Sequence, residues 1–99
     1  MAQLSDSEIR EALVDLPGWV NQDGKLTKSF SHASFPEAIV FVNAVAHVAE
    51  TANHHPDIDV RYSNITLTLM THDQGGITHK DVGLAKHVEA IRKKVGVPA

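Results

Sequence analysis

"SFPEAIVFVNAVAHVAETANHHPDIDVRYSNITLTL", residues 34–69, changes its hydrophobic period partway along, and that change decides the fold. Up to Ala52 the apolar residues recur at helical spacing, with Phe35, Ile39, Val42, Val45, Ala46 and Ala49 forming one broad face. Ser34 and Glu37 match a capping box, and Pro36 suits a first turn. Pro56 disfavours a helical His55, so the helix is predicted to end just before the histidine pair. Asn43, His47, Glu50 and His54 form one polar stripe if the helix reaches that far. Beyond Pro56 the period is two. Ile58, Val60 and Tyr62 alternate, Ser63-Asn64 can turn the chain, and "ITLTLMTH" (65–72) puts Ile65, Leu67 and Leu69 on one face. Helix followed by antiparallel hairpin is the expectation.

The same unit occurs upstream. Ser5 to Leu16 reads as a helix, with Ser5 and Glu8 at capping-box spacing and Pro17-Gly18 as its stop. Trp19 and Val20 begin a short strand, Asn21 to Gly24 is a turn, and Lys25 to Ser31 returns as a second strand. Lys28 interrupts that strand's apolar face between Leu26 and Phe30. After a loop from Asp73 to Gly76, Thr78 and Asp81 open a last helix. Leu84, Val88, Ile91 and Val95 form its buried side, Arg92 to Lys94 suit its negative end, and Gly96 and Pro98 stop it. The order α-β-β-α-β-β-α predicts an α+β fold, a four-stranded antiparallel sheet with helices on one face. Such a sheet has exposed edges, and edge pairing into a dimer is one way to cover them.

At 99 residues the chain is expected to form a single domain over 1–99. A net charge of −3 argues against a nucleic-acid binder. The polar, acidic N-terminus lacks the pattern of a signal peptide, and no apolar run is long enough to span a bilayer. Without cysteine there are no disulfides, thiolate metal sites or cysteine nucleophiles, which fits a reducing compartment.

Seven histidines in so short a chain point toward proton chemistry. His54 and His55 lie at a helix exit and His72 at a strand end, places where side chains converge on ligands. Imidazoles give and take protons near neutral pH, so these three could act as acid, base and orienting donor. A zinc site could use the same residues. Adjacent histidines face different ways on regular backbone, however, so chelation would need an irregular one. A solvated surface cluster is the third reading, and spacing alone leaves all three open. His32, His47, His79 and His87 read as exposed or interfacial. Asp81 has a sufficient reason in capping, Glu50 in solvation, Pro56 in stopping the helix, and Trp19 and Tyr62 in the core.

Glu50, His54-His55-Pro56, Tyr62, His72 and Asp81, with "PGW" at 17–19 and "THDQGGITHKD" at 71–81, resemble the motif of the pterin-4a-carbinolamine dehydratases over nearly the whole chain. The resemblance implies the fold derived above, a homodimer or homotetramer, a cytoplasmic setting, and no metal or other cofactor. It also implies a hydro-lyase that removes water from 4a-hydroxytetrahydropterin to give quinonoid dihydropterin in tetrahydropterin recycling. By this resemblance His54, His55 and His72 are catalytic. His54 and His72 share the acid and base roles, and His55 mainly orients the pterin. Glu50, Pro56, Asp57, Tyr62 and Asp81 carry over as binding or orienting residues. The chain departs from the family pattern at Ile58, where a tryptophan can stand, and at Asn53, where an aspartate can stand. The alternative is a non-catalytic partner-binding or dimerisation protein of the same fold.

Overall fold

The computed structural model describes residues 2–96. Three helices and four strands follow in the expected order: α1 (Asp6–Leu13), β1 (Val20–Gln22), β2 (Lys25–Ser31), α2 (Phe35–Ala52), β3 (Asp57–Arg61), β4 (Asn64–Leu69) and α3 (His79–Lys94). The strands form one antiparallel sheet in the order β1-β2-β4-β3. Leu26, Lys28 and Phe30 of β2 share a buried face with Ile65, Leu67 and Leu69 of β4, and this face meets the helices. The opposite face is polar, with Thr27 bonded to Thr68 and Ser29 to Thr66.

α1 starts as expected, since Ser5 Oγ accepts from the Glu8 amide and Glu8 Oε1 from the Ser5 amide. It ends at Leu13, not Leu16. From Val14 to Leu16 the amides bond carbonyls three residues back, a tighter winding. Pro17 disfavours a helical Leu16, and the tightened turn still delivers Leu16 into the core. The first hairpin turn falls on Asp23-Gly24, both with positive φ (53° and 79°), the mirror-image turn that matches strand twist. Asn21 and Gln22 are therefore paired strand residues, opposite Leu26 and Lys25.

α2 buries Ala38, Phe41, Val45 and Ala49. Phe35 is 46% exposed and Ala46 is also outside, contrary to the expected face. The helix is apolar around most of its girth, so periodicity could not choose the inward side. Phe41 chooses it, packing against Phe30 with ring centroids 4.8 Å apart. His32 follows it inward. It is half-buried beside Phe41, its Nδ1 is 3.1 Å from the Ser63 carbonyl, and its Nε2 is buried without a partner. The second hairpin turns on Tyr62-Ser63, one residue early, with Tyr62 at φ 53° and 74% exposed.

Lys28 is buried because it has somewhere to go. Its Nζ donates to Glu89 Oε2 and to the Pro17 carbonyl, both at 2.8 Å. Glu89 also accepts from Trp19 Nε1 (3.0 Å) and Arg92 Nε (2.8 Å). Trp19 is thus a core residue, edge-on to Phe30. On α3, Val82, Leu84, Ala85 and Val88 are buried and Ile91 partly so, whereas Val95 just past its end is 40% exposed. The expected stop at Pro98 lies outside the described residues. Among the described residues, no helix is long and apolar enough to cross a membrane.

Candidate active site

The end of α2 sets the first histidine. Asn53 takes the left-handed conformation (φ 51°), its amide bonds the Glu50 carbonyl, and the His54 amide reaches back to the Ala49 carbonyl. This is the Schellman arrangement, and it caps the helix while turning the chain. It also removes His54 from the stripe of Asn43, His47 and Glu50 that an unbroken helix would have made. Pro56 then leads into β3, which Asp57 opens in an exposed position.

The chain beyond β4 supplies the other wall. Thr71 bridges back to Gly76, and between them His72–Gln74 form a single 3-10 turn closed by Gly75 at φ 72°. His72 therefore sits on a tight loop, not at a strand end. The N-terminal segment holds this loop down. The Leu4 amide bonds the Ile77 carbonyl (2.8 Å), and Gln3 Nε2 bonds the Gln74 carbonyl (2.5 Å). A Cβ at Gly76 would lie 2.7 Å from Gln3 Oε1, so a larger residue there would push the Gln3 side chain aside.

These two segments enclose a depression of about 340 Å³, lined by Asn53, His54, His55, Met70, Thr71 and His72, with Asp73 and Lys80 at its margin. The fold thus brings the three predicted histidines together from two separate parts of the chain. They are unlike one another. His54, with a side chain 11% exposed, places Nε2 2.5 Å from Asp81 Oδ1. Asp81 is fully buried, and its Oδ2 accepts from the Thr78 amide (2.8 Å) and Thr71 Oγ1 (2.9 Å). One carboxylate thus caps α3 and fixes an imidazole, which selects the ring orientation. His55 Nε2 meets Glu50 Oε1 at 2.8 Å, but the two side chains are 60% and 81% exposed, so water screens that pair. His72 is exposed.

Not every predicted residue joins this group. Pro56 and Asp57 follow the pair without lining the depression, and Tyr62 lies at the far end of the β3–β4 hairpin. Thr71 and Lys80 were not singled out from the sequence, although each is the immediate neighbour of a motif residue. Among the described residues, no set of three or more His, Cys, Asp or Glu side chains is placed to hold a metal ion. A larger hollow of about 440 Å³ by His32, Glu37, Val40 and Val95 contains none of the motif residues.

Comparison with known proteins matches residues 2–91 to the family model described as pterin 4 alpha carbinolamine dehydratase. A protein of Roseiflexus sp. (strain RS-1), provisionally named a pterin-4-alpha-carbinolamine dehydratase, is 53% identical over 90% of this chain and 96% of its own. One from Chloroflexus aurantiacus, with the same provisional name, is 47% identical over 92% of this chain and 98% of its own. Among solved structures, a transcriptional coactivator/pterin dehydratase from Brucella melitensis superposes with a TM-score of 0.87 at 36% identity, covering 90% of this chain and 97% of that one. A pterin dehydratase-like protein identified as a RuBisCO assembly factor in the alpha-carboxysome gives 0.64 at 25% identity, covering 75% and 88%.

Proposed function

Because the chain belongs to the pterin 4 alpha carbinolamine dehydratase family, we propose that it removes water from a 4a-hydroxytetrahydropterin, giving the quinonoid dihydropterin. The observation that carries this reading is the convergence of His54, His55 and His72 on one depression, with one of the three backed by a buried carboxylate.

The reaction breaks the C4a–O bond and forms a C4a=N5 double bond. Hydroxide is a poor leaving group, so a proton must reach the C4a hydroxyl as it departs, and N5 must lose its own proton. An imidazolium supplies the first and a neutral imidazole accepts the second, leaving water and the dihydropterin. His54 and His72 take these two roles. Asp81 holds the His54 ring in one orientation for this exchange. His55, steadied by Glu50, orients the pterin. Pro56 and Asp57 set the chain path behind His55. Tyr62 does not line the depression of its own chain and contributes to the hairpin tip. The cysteine-free domain works in the cytoplasm as a homo-oligomer, and the exposed edge of β3, with Val60 41% exposed, is a candidate for pairing between copies.

The test is dehydration of a 4a-hydroxytetrahydropterin by the wild type and by His54→Ala, His55→Ala and His72→Ala. Positioned acid–base groups contribute about 100- to 10,000-fold, so His54→Ala and His72→Ala are expected to lower kcat by that order, and His55→Ala to act mainly on KM. Full activity in all three variants would make the site assignment wrong. An inactive wild type would instead favour the partner-binding role described for the RuBisCO assembly factor.

A further inference from the structure

His54 and Lys80 border the histidine depression, and both also border a second one. That cavity, of about 230 Å³, runs on between α2 and α3 past His79, Gly83, Leu84 and His87. It is followed by a third of about 360 Å³, which shares Ala52 and His87 with it and reaches His47 and Thr51. The three hollows are successive parts of one groove along the α2–α3 seam. His79, Gly83 and His87 lie four residues apart on α3, so they face the same side of the helix over about 12 Å. In the middle of this row, a Cβ added to Gly83 would meet nothing within 4 Å.

The groove differs in charge from the depression it leaves. Asp73 lines the first hollow, but none of the described residues lining the second and third is acidic. Their polar side chains are Lys80, histidines and Thr51, which are hydrogen-bond donors or cations. Glu8 of α1, which senses the charge of His79, has its Oε1 engaged by the Ser5 amide. The chemistry of the ring says what would occupy such a groove. The reacting atoms are C4a and N5, and C6 is the next atom after N5. A substituent on C6 therefore leaves the ring beside the catalytic groups, where His54 and Lys80 open into the seam.

We propose that the α2–α3 groove beyond His54 and Lys80 binds an anionic substituent on carbon 6 of the pterin, a phosphate or a carboxylate. This rests on the dehydratase reading and specifies its substrate class. Lys80 holds the anion as a point charge at the mouth, His87 donates to it further in, and Gly83 leaves the groove floor open.

The test is equilibrium binding by pterin fluorescence, with 6-hydroxymethylpterin as neutral ligand and pterin-6-carboxylate and the phosphate monoester of 6-hydroxymethylpterin as the two anionic arms. At least one anionic ligand is expected to bind about tenfold or more tightly than the neutral one, and the tighter arm names the anion. Lys80→Met and His87→Leu should each remove most of that gap. Gly83→Leu, which favours the helix but fills the groove, should weaken the anionic ligands more than the neutral one. Equal binding of all three ligands, or variants that weaken all three alike, would overturn the groove assignment. A protein that dehydrates a 4a-hydroxytetrahydropterin yet shows no such preference sinks the groove alone. One that dehydrates none sinks the dehydratase reading with it.

Discussion

Asp81 and Glu89 are both carboxylates of α3, just over two turns and about 12 Å apart along the helix, and both are drawn out of water. Their partners differ in kind. Glu89 is surrounded by Lys28, Arg92 and Trp19, donors that keep their protons at any ordinary pH. Asp81 faces two threonine groups, which do not titrate, and His54, which does. The first arrangement can only hold the helix to the sheet. The second holds the helix and also keeps one exchangeable proton beside a cavity. Burial of a charge is therefore not by itself a sign of chemistry. What distinguishes the two is whether a partner can change its protonation state, and whether that partner reaches a space a substrate could enter.

Four experiments would break or sharpen this contrast. The largest expected effect is from Asp81→Asn, which removes the negative charge behind His54 while keeping the side-chain volume. We expect kcat to fall about 100-fold or more, with a smaller change in KM. A loss of folding at unchanged kcat would make Asp81 a cap and nothing else. Next is Glu89→Ala, which leaves Lys28 buried without its counter-ion. A cost of about 3 kcal/mol in denaturant unfolding is expected, with kcat of the folded protein retained. Lost activity in a stable Glu89→Ala protein would merge the two centres.

Acid titration gives a smaller effect. Burial pushes the Glu89 carboxyl upward, but hydrogen bonds from Lys28, Arg92 and Trp19 outweigh it and hold its pKa below the usual value. A carboxyl depressed in the folded state contributes stability that is present above its unfolded pKa, about 4.3, and is lost as pH falls through the folded value. Unfolding midpoints should therefore drop below about pH 4, and the drop should be shallower in Glu89→Gln. The smallest effect is from Gly83→Ala, between the two centres. The new Cβ meets no atom within 4 Å, and alanine favours a helix interior over glycine by about 1 kcal/mol. A gain of that order in unfolding free energy, with kcat unchanged on an unsubstituted pterin, would show that the two carboxylates act independently. A kcat that moved with stability would tie them together.

The parts legible in the sequence are those fixed by neighbours. Ser5 with Glu8, Ser34 and Thr78 with Asp81 cap helices through bonds spanning three residues or fewer, and the spacing displays them directly. The change of period across Pro56 gave the α+β order for the same reason. Asp81 was legible as a cap and as a motif residue, and these are not competing readings, since its two oxygens serve different partners. What could not be read depended on distant contacts. Lys28 looks like an error in the β2 pattern until Glu89, 61 residues later, is seen beside it. The inward face of α2 required Phe30 to select Phe41. Lys80 has no signal of its own, because its place between two hollows exists only after α2 and α3 pack. The direction in which His54 leaves the helix end was set by Asn53 adopting a left-handed backbone, a choice its side chain permits but does not announce.

The contact of Gln3 and Leu4 with residues 74–77 has a practical consequence for anyone handling this protein. The first few residues look like a dispensable leader, the natural place to attach a purification tag or to trim. Gln3 and Leu4 are in fact the clip on the loop that carries His72. A bulky fusion there would compete with the strap that keeps one wall of the cavity in place, and trimming past Leu4 would release it. Handling of the amino terminus then becomes a variable in any kinetic comparison. A weak preparation should be re-made with its tag at the other end before a histidine is blamed.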